Sequence, residues 1–215
     1  MVCPCKTIYK NYNYTAVVYY DSYIDIVYAD CGKKSSLDML LQRIDKPIRN
    51  IYAYTKCFKH PKYNTLKNKG RIDETYLYHI IKNYESLSGF ILFTKNTYNR
   101  DSKDLFLGNP TKSMRNLVSS NVSFRCLMSY PIWHSCQQLF GFKLYTYEKK
   151  YDISKSTKTF KSNYYSFNEW MIDTSYQNFI RWNQKENCPV CYGGSFMTHS
   201  SNIKKIPKLT WEKIH

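Results

Sequence analysis

Long apolar runs, arginine-rich stretches and the glycine signatures of the best-marked nucleotide sites are all missing from this sequence. Apolar runs stop at four or five residues, as in Phe90-Ile91-Leu92-Phe93, far short of the ~20 that a membrane helix requires. Met1 to Lys10 contains no apolar h-region, so no secretory leader is expected and the chain reads as cytoplasmic. No GxxxxGK[ST] and no GxGxxG occurs, which removes the P-loop and the dinucleotide fingerprint. No GxSxG occurs either, so a nucleophile elbow is excluded. There are no internal repeats and no low-complexity linker.

What is present is positive charge and tyrosine. Thirty-two Lys+Arg oppose 16 Asp+Glu in 215 residues, a net charge of +16, and 22 residues are tyrosine. Such a balance suits an anionic partner such as nucleic acid, a membrane surface or a phosphorylated substrate. The residue types point another way. Only seven of the cations are arginine, the usual planar reader of phosphates and bases. The lysine pairs 33–34, 149–150 and 204–205 are scattered, and no basic run exceeds two or three residues. A solvated face written by an AT-rich genome accounts for the same composition. Hydrophobic residues at 43% and charged residues at 22% are globular values, which exclude a disordered chain, a collagen and a coiled coil.

Eight cysteines stand at 3, 5, 31, 57, 126, 136, 188 and 191. Without a leader, and in a chain this long, reduced thiols are the expectation. Cys188-Pro189-Val190-Cys191 is a CxxC, but a zinc knuckle needs a second close pair. Cys3-Pro4-Cys5 has the wrong gap, and His199 lies eight residues beyond Cys191.

The hydrophobic pattern predicts one α/β domain over 1–215, with 1–14 as an extension and a mostly parallel sheet flanked by helices. Ala16 to Tyr20 reads as a first strand, and Ile24 to Tyr28 either extends it or forms a second. Ser35 or Ser36 caps a helix through Leu37, Leu40, Leu41 and Ile44, which Pro47 stops. Ile48 to Thr55 alternates as a strand. Asp73 caps a helix whose apolar face is Tyr76, Leu77, Ile80, Ile81 and Tyr84. Phe90 to Phe93 is continuous, as in a strand buried on both faces. Further on, a helix is expected over Pro110 to Ser119 and strands around Phe124 to Met128 and Phe140 to Tyr147. Trp170 to Trp182 and Ile203 to Ile214 read as helices, the last with Pro207 near its start. His79 reads as a satisfied structural histidine between apolar neighbours.

Ligands of open α/β sheets bind beyond the carboxyl ends of strands. The segments in that position are Asp21, then Lys56, Lys59, His60 and Lys62, then Thr94-Lys95-Asn96 with Arg100, Asp101 and Asp104. Asn68-Lys69-Gly70-Arg71 enters the helix at 73, which suits either a phosphate contact or a plain solvated turn.

The block from Asn68 to Leu87, with Thr75-Tyr76-Leu77-Tyr78-His79-Ile80 at its centre, resembles a domain family of unknown function spread through microbes and large viruses. Tyr192-Gly193-Gly194-Ser195-Phe196 and the following helix resemble its C-terminal signature, so the likeness spans roughly 16–214. That family looks like a GT-A-type glycosyltransferase. The resemblance implies a nucleotide-sugar donor, an acceptor, and a Mn or Mg ion held by a DxD at the end of the apolar strand. It would place Lys69, Gly70 and Arg71 on the diphosphate, Asp21 near the base or ribose, and Gly193-Gly194 beside the acceptor. Glu169 or Asp173 would be the acceptor-side base. The chain departs from the pattern where the DxD should stand, because it reads Thr94-Lys95-Asn96. Either Asp101 and Asp104 hold the metal, or Lys95 or Arg100 replaces it as counter-charge, or the protein is a non-catalytic relative. Where the family has Gly-Arg-Glu, this chain has Gly70-Arg71-Ile72. The rival expectation is a non-enzymatic basic protein that binds nucleic acid or a host partner.

Overall fold

A computed structural model describes residues 23–31, 37–67, 72–96, 110–119, 123–127, 134–135, 163–173, 187–188 and 194–215. They fall into two compact units. In the smaller unit, β-strands at His134–Ser135 and Asn187–Cys188 pair antiparallel, and a short helix runs over Phe167–Asp173. Ser166 Oγ accepts from the Glu169 amide at 3.2 Å, and the Glu169 carboxylate accepts from the Tyr165 amide at 2.7 Å. The first is the N-cap bond of a capping box, while the second reaches one residue further back, to the amide before the cap.

The larger unit is built on one six-stranded sheet. Its strands are β1 (Ile24–Asp30), β2 (Ile48–Thr55), β3 (Asn64–Thr65), β4 (Phe90–Lys95), β5 (Phe124–Cys126) and β6 (Phe196–His199). Its helices are α1 (Leu37–Leu41), α2 (Ile72–Lys82), α3 (Pro110–Val118), α4 (Ser200–Lys204) and α5 (Lys208–Ile214). In space the strands run β3-β2-β1-β4-β6-β5. The first four are parallel to one another, while β6 is antiparallel to both β4 and β5.

The α/β layering agrees with the hydrophobic pattern. The sheet is mixed, however, not mostly parallel. The reason is that β5 and β6 come from the irregular second half of the chain. There β6 enters from the Gly194 turn and pairs with β4 from the opposite direction.

Central strands carry the core. Ile24, Ile26, Tyr28, Ala53, Phe90, Leu92 and Met197 meet Leu40 of α1 and Met114, Leu117 and Val118 of α3. On the other face, Phe93 stacks on Phe196 with ring centroids 5.0 Å apart, and Tyr76 of α2 packs 5.0 Å from Phe93. Burial of β4 from Phe90 through Thr94 fulfils the expectation of a strand covered on both sides.

Several boundaries moved. The first described strand is Ile24–Asp30, and the expected strand at 16–20 lies outside the described residues, as do Phe140 to Tyr147. The C-terminal helix is two helices. Pro207 has no amide hydrogen to continue the first, so α4 ends at Lys204 and Pro207 becomes the N-cap of α5. The Trp211 indole then donates to the Ile203 carbonyl at 3.2 Å and ties the pair together.

At the amino ends of the parallel strands lies an ionic clamp. Asp25 is 4% exposed. It accepts from Arg49 Nε at 3.0 Å and Arg49 Nη2 at 2.6 Å, and from Asn50 Nδ2 at 3.1 Å. The same guanidinium donates to Ser88 Oγ at 2.6 Å and to the Ser88 carbonyl at 2.8 Å. β1, β2 and the approach to β4 are thereby fastened at the end opposite the candidate site.

Candidate functional site

The parallel strands define the site's position. From β1 the chain passes through α1 to β2 on one side, and from β3 it passes through α2 to β4 on the other. The strand order therefore reverses between β1 and β4, and the crevice beyond their carboxyl ends is where open α/β sheets bind ligands.

Four strand ends frame it. β1 ends in Asp30, a residue 2% exposed. β2 ends in Thr55, paired with Asp30, and Lys56 follows. β4 ends in Lys95, paired with Ala29, and the Asn96 amide continues the ladder to the Ala29 carbonyl at 3.1 Å. β6 begins beside Thr94, whose Oγ1 lies 3.1 Å from Ser195 Oγ.

Both of these hydroxyls are buried, Thr94 at 0% and Ser195 at 1% exposed. Thr94→Val leaves the Ser195 hydroxyl without its partner and is expected to cost about 1–2 kcal/mol. The double variant Thr94→Val with Ser195→Ala should recover much of that loss in urea melts.

Gly194 holds a φ of +67°, and its carbonyl accepts from Tyr76 Oη at 2.9 Å. A Cβ there would lie 3.6 Å from Ile72 Cγ2, an ordinary contact. The cost of Gly194→Ala is therefore conformational, about 1 kcal/mol, and Gly194→Asn should cost less. Thermal melts of the two variants check the order.

Lys56 bonds to the carboxylate of Glu74 in the first turn of α2, and Glu74 Oε1 also lies 3.2 Å from His215 Nε2. Burial lowers the Lys56 ammonium to about 8, against the pull of the Asp73 carboxylate. Cys31 and Cys57, which follow the ends of β1 and β2, form a disulfide with Cα atoms 5.1 Å apart. Cys126 is also disulfide-bonded. The expectation of reduced thiols is thus corrected at these three positions. Register explains the first pair: Asp30 lies opposite Thr55, so the loops that leave the two strands start side by side.

On the face of α2 packed against β2 lies His79, 1% exposed. Its Nδ1 is 2.9 Å from Tyr54 Oη and 3.2 Å from Asn83 Nδ2. Because the Asn83 Nδ2 group can only donate, Nδ1 is the acceptor and Nε2 carries the proton. Nε2 has no hydrogen-bond partner among the described residues. Burial pushes the ring down to about 4, opposed by the Asp25 charge and assisted by Lys82. The same burial pushes the Tyr54 phenol up to about 12. This matches a structural histidine.

Of the residues expected at the site, Lys95, Asn96 and Gly194 come together at the carboxyl end of β4 and the entry to β6. Glu169 and Asp173 lie in the smaller unit on one short exposed helix, where Glu169 serves the cap and Asp173 accepts from Tyr164 Oη. Asp21, Lys69, Gly70, Arg71, Arg100, Asp101, Asp104 and Gly193 lie outside the described residues. Asp30, at the carboxyl end of β1, was not among the residues expected at the site. The unbroken run Ile24-Asp25-Ile26-Val27-Tyr28-Ala29-Asp30 was the available signal.

Among the described residues no group of three His, Cys, Asp or Glu side chains could hold a metal ion, and no helix is long and apolar enough to cross a membrane. No family model, curated protein or solved structure shows detectable similarity to the chain.

Proposed function

We propose that the chain is a glycosyltransferase-like protein of GT-A type that binds a nucleotide-sugar donor beyond the carboxyl ends of β1 and β4. The observation that carries this reading is the reversal of strand order between β1 and β4, with Asp30 and Lys95 at the ends of the two strands. The order of helix, fully buried strand and polar strand end over 72–96 agrees with the layout that the family resemblance implies. Asp30 takes the base or ribose role first expected of Asp21, since a buried carboxylate at a strand end accepts hydrogen bonds from ribose hydroxyls or a base amide. Gly194 borders the acceptor side. The exposed cystine between the β1 and β2 loops suits an oxidising compartment better than the cytoplasm.

A thermal-shift panel tests the reading. A UDP- or GDP-sugar at about a hundred times its Kd stabilises by about 2.7 kcal/mol, which in a chain of this size raises Tm by roughly 5–10 °C. Asp30→Asn should abolish that shift without lowering the melt of the free protein by a comparable amount. A second reading, nucleic-acid binding, is favoured by the loop after β2. There Lys59 and Lys62 flank a ring cluster in which His60 lies 4.4 Å and Phe58 6.0 Å from Tyr63. Cations interleaved with aromatic rings suit single strands. If an oligonucleotide shifts the melt with a steep salt dependence, and no nucleotide sugar does, the glycosyltransferase reading fails.

A further inference from the structure

The Cys31–Cys57 bond adds little to the sheet and much to the loop that follows β2. Each cysteine stands just beyond a strand end, Cys31 next after Asp30 and Cys57 two residues after Thr55. The ladder pairs those ends without help from sulfur, running from Ile24 opposite Ile48 to Asp30 opposite Thr55. Ile24, Ile26, Val27 and Tyr28 are wholly buried, so the core holds β1 in place. Opening the bond therefore removes a link between two positions that strand register already fixes.

The loop that leaves β2 is held differently. The Cys57 amide donates to Thr55 Oγ1 at 3.3 Å, the Lys62 amide to His60 Nδ1 at 3.2 Å and the Tyr63 amide to the His60 carbonyl at 3.1 Å. Cys57, Lys59, Pro61 and Lys62 are exposed. Phe58 rests on the core cluster, and the His60 ring lies 4.4 Å from that of Tyr63. Among the described residues, the cystine is the only bond that joins 57–62 to a residue outside 55–63. Exposed segments with few and local bonds open readily without the rest of the fold.

Two features make the bond reversible in the folded chain. Both cysteines are exposed residues, and exposed cystines are the ones open to thiol attack. After reduction the ladder still sets the two Cα atoms near the 5.1 Å seen here, inside the roughly 4.4–6.8 Å that a disulfide requires. The two thiols thus meet at high effective concentration and re-form the bond with each other.

We propose that Cys31 and Cys57 form a redox switch, which locks the 57–62 loop when oxidised and releases it, with the sheet intact, when a dithiol reductant opens the bond. A thiolate of the reductant attacks one cystine sulfur, the other sulfur leaves as a thiolate, and the reductant's second thiol displaces the mixed disulfide. The cystine gains two electrons and two protons, and the reductant ends as a disulfide. Lys59 and Lys62 ride on this loop, so the switch decides whether their charges are presented in one fixed arrangement. Neither ligand reading above is needed for it.

The test uses the full chain without denaturant. Dithiothreitol opens the cystine, N-ethylmaleimide traps the thiols, peptide mapping reads each site, and hydrogen exchange is followed in both states. Cys31 and Cys57 should be labelled only after reductant. Exchange over 57–62 should then quicken by about tenfold, while 24–30 and 90–94 keep their protection. Replacing the reductant with glutathione disulfide should restore the slow exchange. Cys31→Ser with Cys57→Ser should show the fast loop without reductant, which separates this cystine from the one at Cys126. The wild-type comparison needs no variant to fold. Labelling of the two cysteines only in urea, or before any reductant is added, overturns the inference. Loss of protection across 24–30 on reduction overturns it, and so does equal exchange over 57–62 in the two states.

Discussion

Arg49→Ala is expected to destabilise the protein by about 3 kcal/mol, more than Asp25→Ala does, although both remove the same ion pair. The asymmetry follows from burial. Asp25 has a side chain 6% exposed, whereas that of Arg49 is 39% exposed. Without Arg49, a buried carboxylate keeps the Asn50 amide and loses its bidentate cation. Breaking a buried pair on this side costs roughly 3–5 kcal/mol, because the uncompensated charge remains in a poor solvent. Without Asp25, the guanidinium can turn to water while it still reaches Ser88. The double variant should therefore be no less stable than Arg49→Ala alone. A urea double-mutant cycle reads all four proteins. Equal losses in the two single variants would show that the Asp25 carboxylate is not desolvated.

Acid should weaken the fold through His79 before most carboxylates titrate. The ring is held at about 4, against an ordinary value of 6.5. Between these values the unfolded chain binds a proton that the folded protein refuses, so stability rises with pH across the window. The contribution is complete above about pH 6.5. It falls away as pH drops toward 4, and below that it is flat. The span corresponds to about 3 kcal/mol, at 1.36 kcal/mol per unit. Protonation would put a hydrogen on Nδ1, the atom that Tyr54 and Asn83 already approach as donors. Urea midpoints at pH 7.5, 6, 5 and 4 for wild type and His79→Gln isolate this term, since other acid transitions are common to both. The variant should show the shallower slope. Identical slopes would mean that His79 titrates normally.

The Cys31–Cys57 link shows how local and tertiary information divide in this chain. Nothing in the spacing of eight cysteines selects that pair. It follows from the parallel register of β1 and β2, which sets Asp30 against Thr55 and so starts their outgoing loops together. The same holds for Asp25 and Arg49, 24 residues apart in sequence and joined only because adjacent strands align their amino ends.

Local pattern was enough for α2 and β4. An acidic first turn, an apolar helical stripe and a continuous apolar run are consequences of burial geometry and can be read one segment at a time. Pro207 was legible too, though its effect was underestimated: it divides the expected helix in two and caps the second. Positive charge, the most conspicuous feature of the composition, says little about the site until the sheet selects among the 25 lysines.

By itself, then, the sequence determined the α/β layering, the central buried strand and the absence of a DxD after it, because these depend on residue type and short-range periodicity. The tertiary structure decided the antiparallel entry of β6, the end of β1 at Asp30, the pairing of Lys56 with Glu74 and the placement of Lys95 at the switch point. Each of these is a meeting of strand ends or helix turns distant in sequence, and strand register and crossover topology fix such meetings where residue spacing does not.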